Sequence, residues 1–155
     1  GRLGYDTYPQ TLMLLNPLSL RVYGTCCLLS QKEVPKIVNS LRNDSLIWID
    51  SFTIHKDYRN IHLGSLFLSL IESYLISHIN KDSSHQLNSH QLNSHQLNSD
   101  SKKHLKHLLL AQSDGASDFY HKNKFTLLSH SINQSHFNFH DSAYIGTTWV
   151  KDLML

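Results

Sequence analysis

At Ser65 the spacing of apolar residues changes period, and that change constrains the fold more than any other feature of the chain. Residues 46–55 place Ile47, Trp48, Ile49, Phe52 and Ile54 in the pattern of a largely buried strand. Beyond Ser65, Leu66, Leu68, Leu70, Ile71, Tyr74, Leu75 and Ile79 return at the three-and-four spacing of a helix packed on a sheet. This helix is expected over residues 63–78. Between the two lies the polar stretch 56–64. A strand that passes through a short loop into a helix is a unit of α/β architecture. The first N–H groups of such a helix have no partner within it, and the helix dipole adds positive character there. The junction is therefore a natural phosphate site. Arg59 adds a permanent cation at its mouth, and Gly64 permits close backbone approach. Many junctions of this kind bind nothing.

The rest of the chain fits around this unit. Its 155 residues suit one domain with a core of its own. Residues 11–15 and 21–30 read as strands, the first closed by the turn signal Asn16-Pro17. Residues 33–41 are ambiguous, with Pro35 arguing against a long helix. Residues 107–112 read as a short buried strand. One or two helical turns are expected over 116–123, and strands over 125–132 and 144–150, joined by a polar loop. The sum is a mixed α/β sheet.

Residues 80–103 differ in kind. His-Gln-Leu-Asn-Ser occurs three times in tandem, from His85, His90 and His95. A period of five fits neither helix nor strand, so the segment reads as a disordered, low-complexity inserted loop. Its histidines suit a metal ion in principle. The plainer reading is repeat expansion in a tolerant surface loop. None of the twelve histidines has a ligand spacing shared with cysteines or carboxylates, so no metal site is expected.

Other features exclude classes of partner. A net charge of +2 gives no argument for nucleic acid. The longest apolar runs, such as 66–71, fall short of the ~20 residues of a membrane span. Cys26 and Cys27 are adjacent, point to opposite faces of a strand and make poor disulfide partners. Two buried thiols point to a reducing, cytoplasmic compartment. No signal segment follows Gly1, and a monomer is expected.

Two segments together are more specific than either alone. The first is Arg59-Asn60-Ile61-His62-Leu63-Gly64, followed by Ser65. The second places Ser113, Ala116, Phe119, Tyr120 and Phe125 at fixed intervals. On these the chain resembles the GCN5-related N-acetyltransferases. Their acetyl-coenzyme A motif is Arg/Gln-x-x-Gly-x-Gly/Ala, and their later motif is Asn-x-x-Ala-x-x-Phe-Tyr-x-x-x-Gly-Phe. Two glycines of the pattern are replaced, by His62 and by Lys124. The resemblance spans about residues 11–153. Within the family the chain is most similar to the acetyltransferases of the actin amino terminus. Residues 11–17, 113–125 and 148–153 carry that closer likeness.

The resemblance implies a mostly antiparallel sheet flanked by helices, with the family's first strand and first two helices absent or cut to residues 1–10. It implies one acetyltransferase domain over 1–155, shortened at its amino terminus. The implied reaction moves acetyl from acetyl-coenzyme A to a primary amine, the α-amine of an acidic, actin-like protein or peptide amino terminus. Tyr120 would be the acid for the leaving thiolate and Asp50 a base. Phe52, Thr53 and Ile54 would hold the pantetheine arm. Arg59, Asn60, Ile61, His62, Leu63, Gly64 and Ser65 would hold the diphosphate, and Ser113, Ala116 and Phe119 complete the expected cofactor set. A basic groove for an acidic peptide would draw on Arg2 and Arg21. Two other readings stand beside this one: a small-amine or lysine acetyltransferase, and a non-catalytic binding protein whose cofactor loop is spoiled by His62.

Overall fold

The computed structural model describes residues 9–30, 38–40, 45–90, 107–113, 115–130, 137–139 and 147–154. In chain order these form β1 (Gln10–Leu15), β2 (Val22–Ser30), β3 (Val38–Ser40), β4 (Ser45–Ile54), α1 (Leu63–His90), β5 (His107–Gln112), α2 (Ser117–Lys122), β6 (Thr126–Leu127), β7 (Phe137–Phe139) and β8 (Thr148–Asp152). Six strands make one sheet in the order β1-β2-β4-β5-β8-β6. Among the described strands only β4 and β5 pair in parallel, which requires the crossover that α1 supplies. All other neighbours in that sheet are antiparallel, as expected for this fold class. β3 and β7 pair apart from it, Val38 opposite Phe139.

The period of two along the central strands sorts the core into two clusters. Leu46 and Trp48 of β4 face the same way as Leu108 and Leu110 of β5, with Val150 and Leu128. On the other face Ile49, Leu109, Ala111 and Trp149 meet Cys26 and Leu28 of β2 and Phe67, Leu68, Ile71 and Leu75 of α1. Leu66 and Leu70, expected in that helix's packed stripe, are each 50% exposed, and Phe67 takes the core position. Cys26 is a buried free thiol, while Cys27 is only half-buried.

The β4 pattern slips by one residue, and the slip has a structural cause. Cys27 pairs with Ser51 and Leu28 with Ile49, which leaves Asp50 as the extra residue of a β-bulge. The bulge returns Phe52 and Ile54 to the face of Ile47 and Ile49. Without it Ser51 and Thr53 would point into the core. Gly24 lies opposite Ile54, where a Cβ would come within 2.8 Å of Ile54 Cδ1 and 2.9 Å of the Thr53 carbonyl. Only glycine allows β2 to approach so closely there.

α1 corrects two expectations. It does not end near His78 but continues to His90, through the first repeat unit, so residues 80–90 are helical rather than loop. No glycine or proline falls between Gly64 and Gly115, so the sequence holds no strong stop signal there. Residues 91–103 lie outside the described residues. The strand expected over 125–132 is shorter, Thr126–Leu127, followed by a 3-10 turn at Leu128–His130 that buries Leu128. The last strand is Thr148–Asp152, with 144–146 outside the described residues. Part of the expected polar loop forms β7.

α2 ends in a Schellman motif. Phe125 N–H donates to Tyr120 C=O at 3.0 Å and Lys124 N–H to His121 C=O at 3.1 Å. The accompanying apolar contact is Tyr120 against Phe125, ring centroids 5.2 Å apart. Lys124 occupies the left-handed position, at φ 70°, where glycine is the usual residue. A Cβ there costs roughly 1–2 kcal/mol, offset in part by glycine's greater entropy in the unfolded chain. Lys124→Gly is therefore expected to stabilise the fold by about 0.5–1 kcal/mol. Thermal unfolding should show an upward shift of a few degrees, and no change would mean the strain is relieved elsewhere.

Candidate active site

The site begins where β4 and β5 part. β4 stays paired with β2 as far as Ile54, but its last partner on β5 is Ala111, opposite Ile49. Past the bulge at Asp50, the side of β4 turned away from β2 carries no strand among the described residues. That side opens a cleft of about 920 Å³, a size suited to a small-molecule ligand.

One wall is the loop from β4 to α1. The Asp57 N–H donates to His55 Nδ1 at 3.3 Å, which makes that nitrogen an acceptor. The 3.7 Å approach of the same nitrogen to Asp57 Oδ2 is then a contact rather than an ion pair. Tyr58 packs edge-on to Tyr23, centroids 4.5 Å apart. Arg59 Nε donates to the Ile54 carbonyl at 3.0 Å, which fixes the stem of that side chain. Asn60 and His62 both adopt left-handed backbone, φ 64° and 63°. His62 thus keeps the conformation that a glycine would favour at this motif position, and histidine is among the side chains that tolerate it. The Leu66 N–H donates to its carbonyl, so α1 starts directly after it. The preceding N–H groups of that first turn have no helical partner.

The other wall is the turn into α2. Ser113 Oγ accepts the Ala116 N–H at 3.0 Å, and the Ser113 N–H donates to the Thr147 carbonyl at 3.0 Å. Phe119 lies 5.5 Å from Phe52, centroid to centroid, and edge-on to Tyr120 at 5.3 Å. A Cβ on Gly64 would meet Phe119 Cε2 at 3.1 Å. The room that Gly64 provides is therefore taken by the Phe119 ring, so this glycine sets how closely α1 and α2 pack. Asn123 Nδ2 bonds to Ser65 Oγ at 3.2 Å and locks the same junction.

Tyr120 lies where the walls meet. It is 5% exposed, stacked on Trp149 and edge-on to Phe125, yet it still lines the cleft. Burial, and then the neighbouring Cys26 thiol, push its pKa up to about 12. Cys26 is raised to about 12 as well, by burial and then by Cys27. Both stay protonated through the neutral range.

Of the residues expected at a site, Asp50, Phe52, Ile54, Arg59, Asn60, His62, Leu63, Gly64, Ser65, Ser113, Ala116, Phe119 and Tyr120 line this cleft. Thr53 and Ile61 do not: the alternation along β4 turns Thr53 to the other face, and the Ile61 side chain is exposed outside the cleft. Tyr58, Gln112, Asp118 and Lys122 line it without having been singled out from sequence. Lys122 follows Phe119 by three positions, the spacing of one helix face, and was legible on that ground. A second concavity on α1, lined by Ser73, Ile76, Ser77, Asn80 and Lys81, shares no residue with the cleft and is the surface of one helix. Among the described residues no three histidine, cysteine or carboxylate side chains converge. No helix among them is long and apolar enough to cross a membrane.

No protein-family model matches the sequence, and no curated protein matches it either. The likeness is to solved structures. Tetrahymena GCN5 superposes with a TM-score of 0.52 at 12% identity, covering 98% of this chain and 72% of that one. An acetyltransferase of the GNAT family from Staphylococcus aureus Mu50 aligns with a TM-score of 0.49 at 14% identity, covering 98% and 76%. At such identity the likeness to Tetrahymena GCN5 establishes the fold: this chain has the GNAT fold.

Proposed function

We propose that this chain transfers acetyl from acetyl-coenzyme A to a primary amine, the α-amine of a protein or peptide amino terminus. One observation carries the reading. The cleft opens where a bulged β4 leaves β5, and it runs from Tyr120 to the first turn of a helix. The donor set fits coenzyme A. An extended arm bearing amides suits the main-chain groups of the β4 edge past Ile49, where pairing with β5 has ended. A diphosphate suits the first turn of α1 beside Arg59.

The chemistry divides among this chain's groups. The amine attacks as the neutral base, and an α-amine with a pKa of about 8 is already partly neutral at pH 7. The C–N bond forms, the C–S bond breaks, and one amine proton must leave. Asp50, exposed and lining the cleft at the bulge, is placed to take that proton through water. Main-chain N–H groups of the β4 edge suit the oxyanion. Tyr120, which lines the cleft where its walls meet, would be the donor to the departing sulfur. A phenol at about 12 lies roughly three units above an ordinary thiol, so its role is hydrogen-bond donation to the thiolate rather than full proton transfer.

The finer reading is an acidic, actin-type amino terminus as acceptor, in a cytoplasmic, monomeric enzyme. Its support is the sequence likeness of residues 11–17, 113–125 and 148–153. In the fold the first and last of these form β1 with its Asn16 turn, and β8. Titration calorimetry with acetyl-coenzyme A is expected to give saturable binding, and no heat at high micromolar concentration would refute the transferase reading. A peptide panel then tests the acceptor. Acidic amino termini should be acetylated faster than neutral or basic ones, and equal rates would rule out the actin-like assignment.

A further inference from the structure

We propose that His62 is a second, proton-dependent anchor for the diphosphate, working beside Arg59. The inference rests on the reading of the cleft as a coenzyme A site and adds a charge that the family motif, with glycine at this position, does not supply. His62 lines the cleft at the residue before α1 and is exposed. Its backbone is already left-handed, so the imidazole is carried without distorting the turn that the motif needs.

Counting charge motivates the role. Among the described residues that line the cleft, the permanent cations are Arg59 and Lys122 and the carboxylates are Asp50 and Asp118. These cancel. Lys122 and Asp118 belong to α2 and Asp50 to the β4 bulge, so on the α1 side Arg59 stands alone. One of its donors is already committed to the Ile54 carbonyl. A diphosphate ester carries two negative charges. Among the described lining residues His62 is the remaining group on that side whose side chain can carry a positive charge. A cation beside Arg59 is unfavourable until an anion lies between them. The proton is therefore taken up with the ligand, and affinity rises as pH falls. His55 and Asp57 lie on the same loop, His55 Nδ1 accepting the Asp57 N–H, and neither lines the cleft.

Dephospho-coenzyme A is the probe, because it keeps the diphosphate and lacks the 3′-phosphate that itself titrates in this range. Wild-type protein is expected to bind it about tenfold more tightly at pH 6 than at pH 8, the size of effect one coupled proton gives. Pantetheine, which has no diphosphate, should bind with the same affinity at both. His62→Asn keeps a residue that tolerates left-handed backbone but removes the charge. It should bind dephospho-coenzyme A with less than about twofold change over the same range. Heats measured for wild type at pH 7 in two buffers of different ionisation enthalpy should also report net proton uptake. Equal pH dependence in wild type and His62→Asn, or no proton uptake by wild type, overturns the role of His62 while leaving the cofactor site intact. Failure of wild type to bind either ligand overturns the site itself, and this inference with it.

Discussion

Tyr120→Phe is expected to lower turnover about a hundredfold while changing acetyl-coenzyme A affinity by less than about twofold, the usual signature of a donor that acts in the transition state. The substitution removes one oxygen and keeps the ring. Contacts of that ring with Phe119, Phe125 and Trp149 survive, so the melting midpoint should hardly move. The pH profile gives a second readout. With its pKa near 12, Tyr120 stays protonated well past pH 10. Turnover should therefore show no alkaline fall centred near 10, where an ordinary phenol would ionise. A fall at that pH, present in wild type and absent in Tyr120→Phe, would mean that the hydroxyl ionises far more easily than its burial dictates. Unchanged turnover would remove Tyr120 from the mechanism.

Much of this site was legible in the sequence because its signals are local. The strand over 46–55 was read from its apolar residues, while the bulge at Asp50 that returns Phe52 and Ile54 to the face of Ile47 and Ile49 came from the pairing with β2. The strand over 107–112 and the start of α1 follow from composition and period in the same way. The left-handed turns at His62 and Lys124 were legible from the motif but not from the residues: the family pattern asks for glycine, and the backbone keeps that conformation without it. What could not be read depends on distant partners. The pairing of β3 with β7 joins residues a hundred positions apart with three pairs. Choosing Phe67 over Leu66 and Leu70 for the core depends on where the sheet lies beneath α1. The length of α1 was misread because the repeat has no helical period, although nothing in it breaks a helix. The burial of Tyr120 depends on Trp149 of β8 as well as on its local contact with Phe125.

The largest loss of stability is expected from Lys151→Ala. Lys151 projects from β8 into a junction of three elements. Its Nζ pairs with Glu72 of α1, donates to the Asn123 carbonyl at the end of α2 at 3.0 Å, and lies 5.7 Å from the centroid of the Phe125 ring. The pair is well shielded, with the side chains 24% and 13% exposed. Exposed ion pairs contribute little, but removing one partner of a shielded pair leaves the other charge uncompensated. Here a carbonyl loses its donor as well. The expected cost is about 2–4 kcal/mol, a fall of roughly 6–12 °C in Tm for a chain of this size. Because Asn123 also bonds to Ser65 at the start of α1, the loss should loosen the α2 wall of the cleft, and acetyl-coenzyme A affinity should fall with it. The double variant Glu72→Leu/Lys151→Met removes both charges and keeps the volume, so it should recover most of the stability. The comparison separates charge from packing. If the single variant costs less than about 0.5 kcal/mol, the pair behaves as a surface contact and the three elements are held by their apolar faces alone. If the double variant is as unstable as the single one, what matters is the hydrogen bond to Asn123 rather than the buried charge.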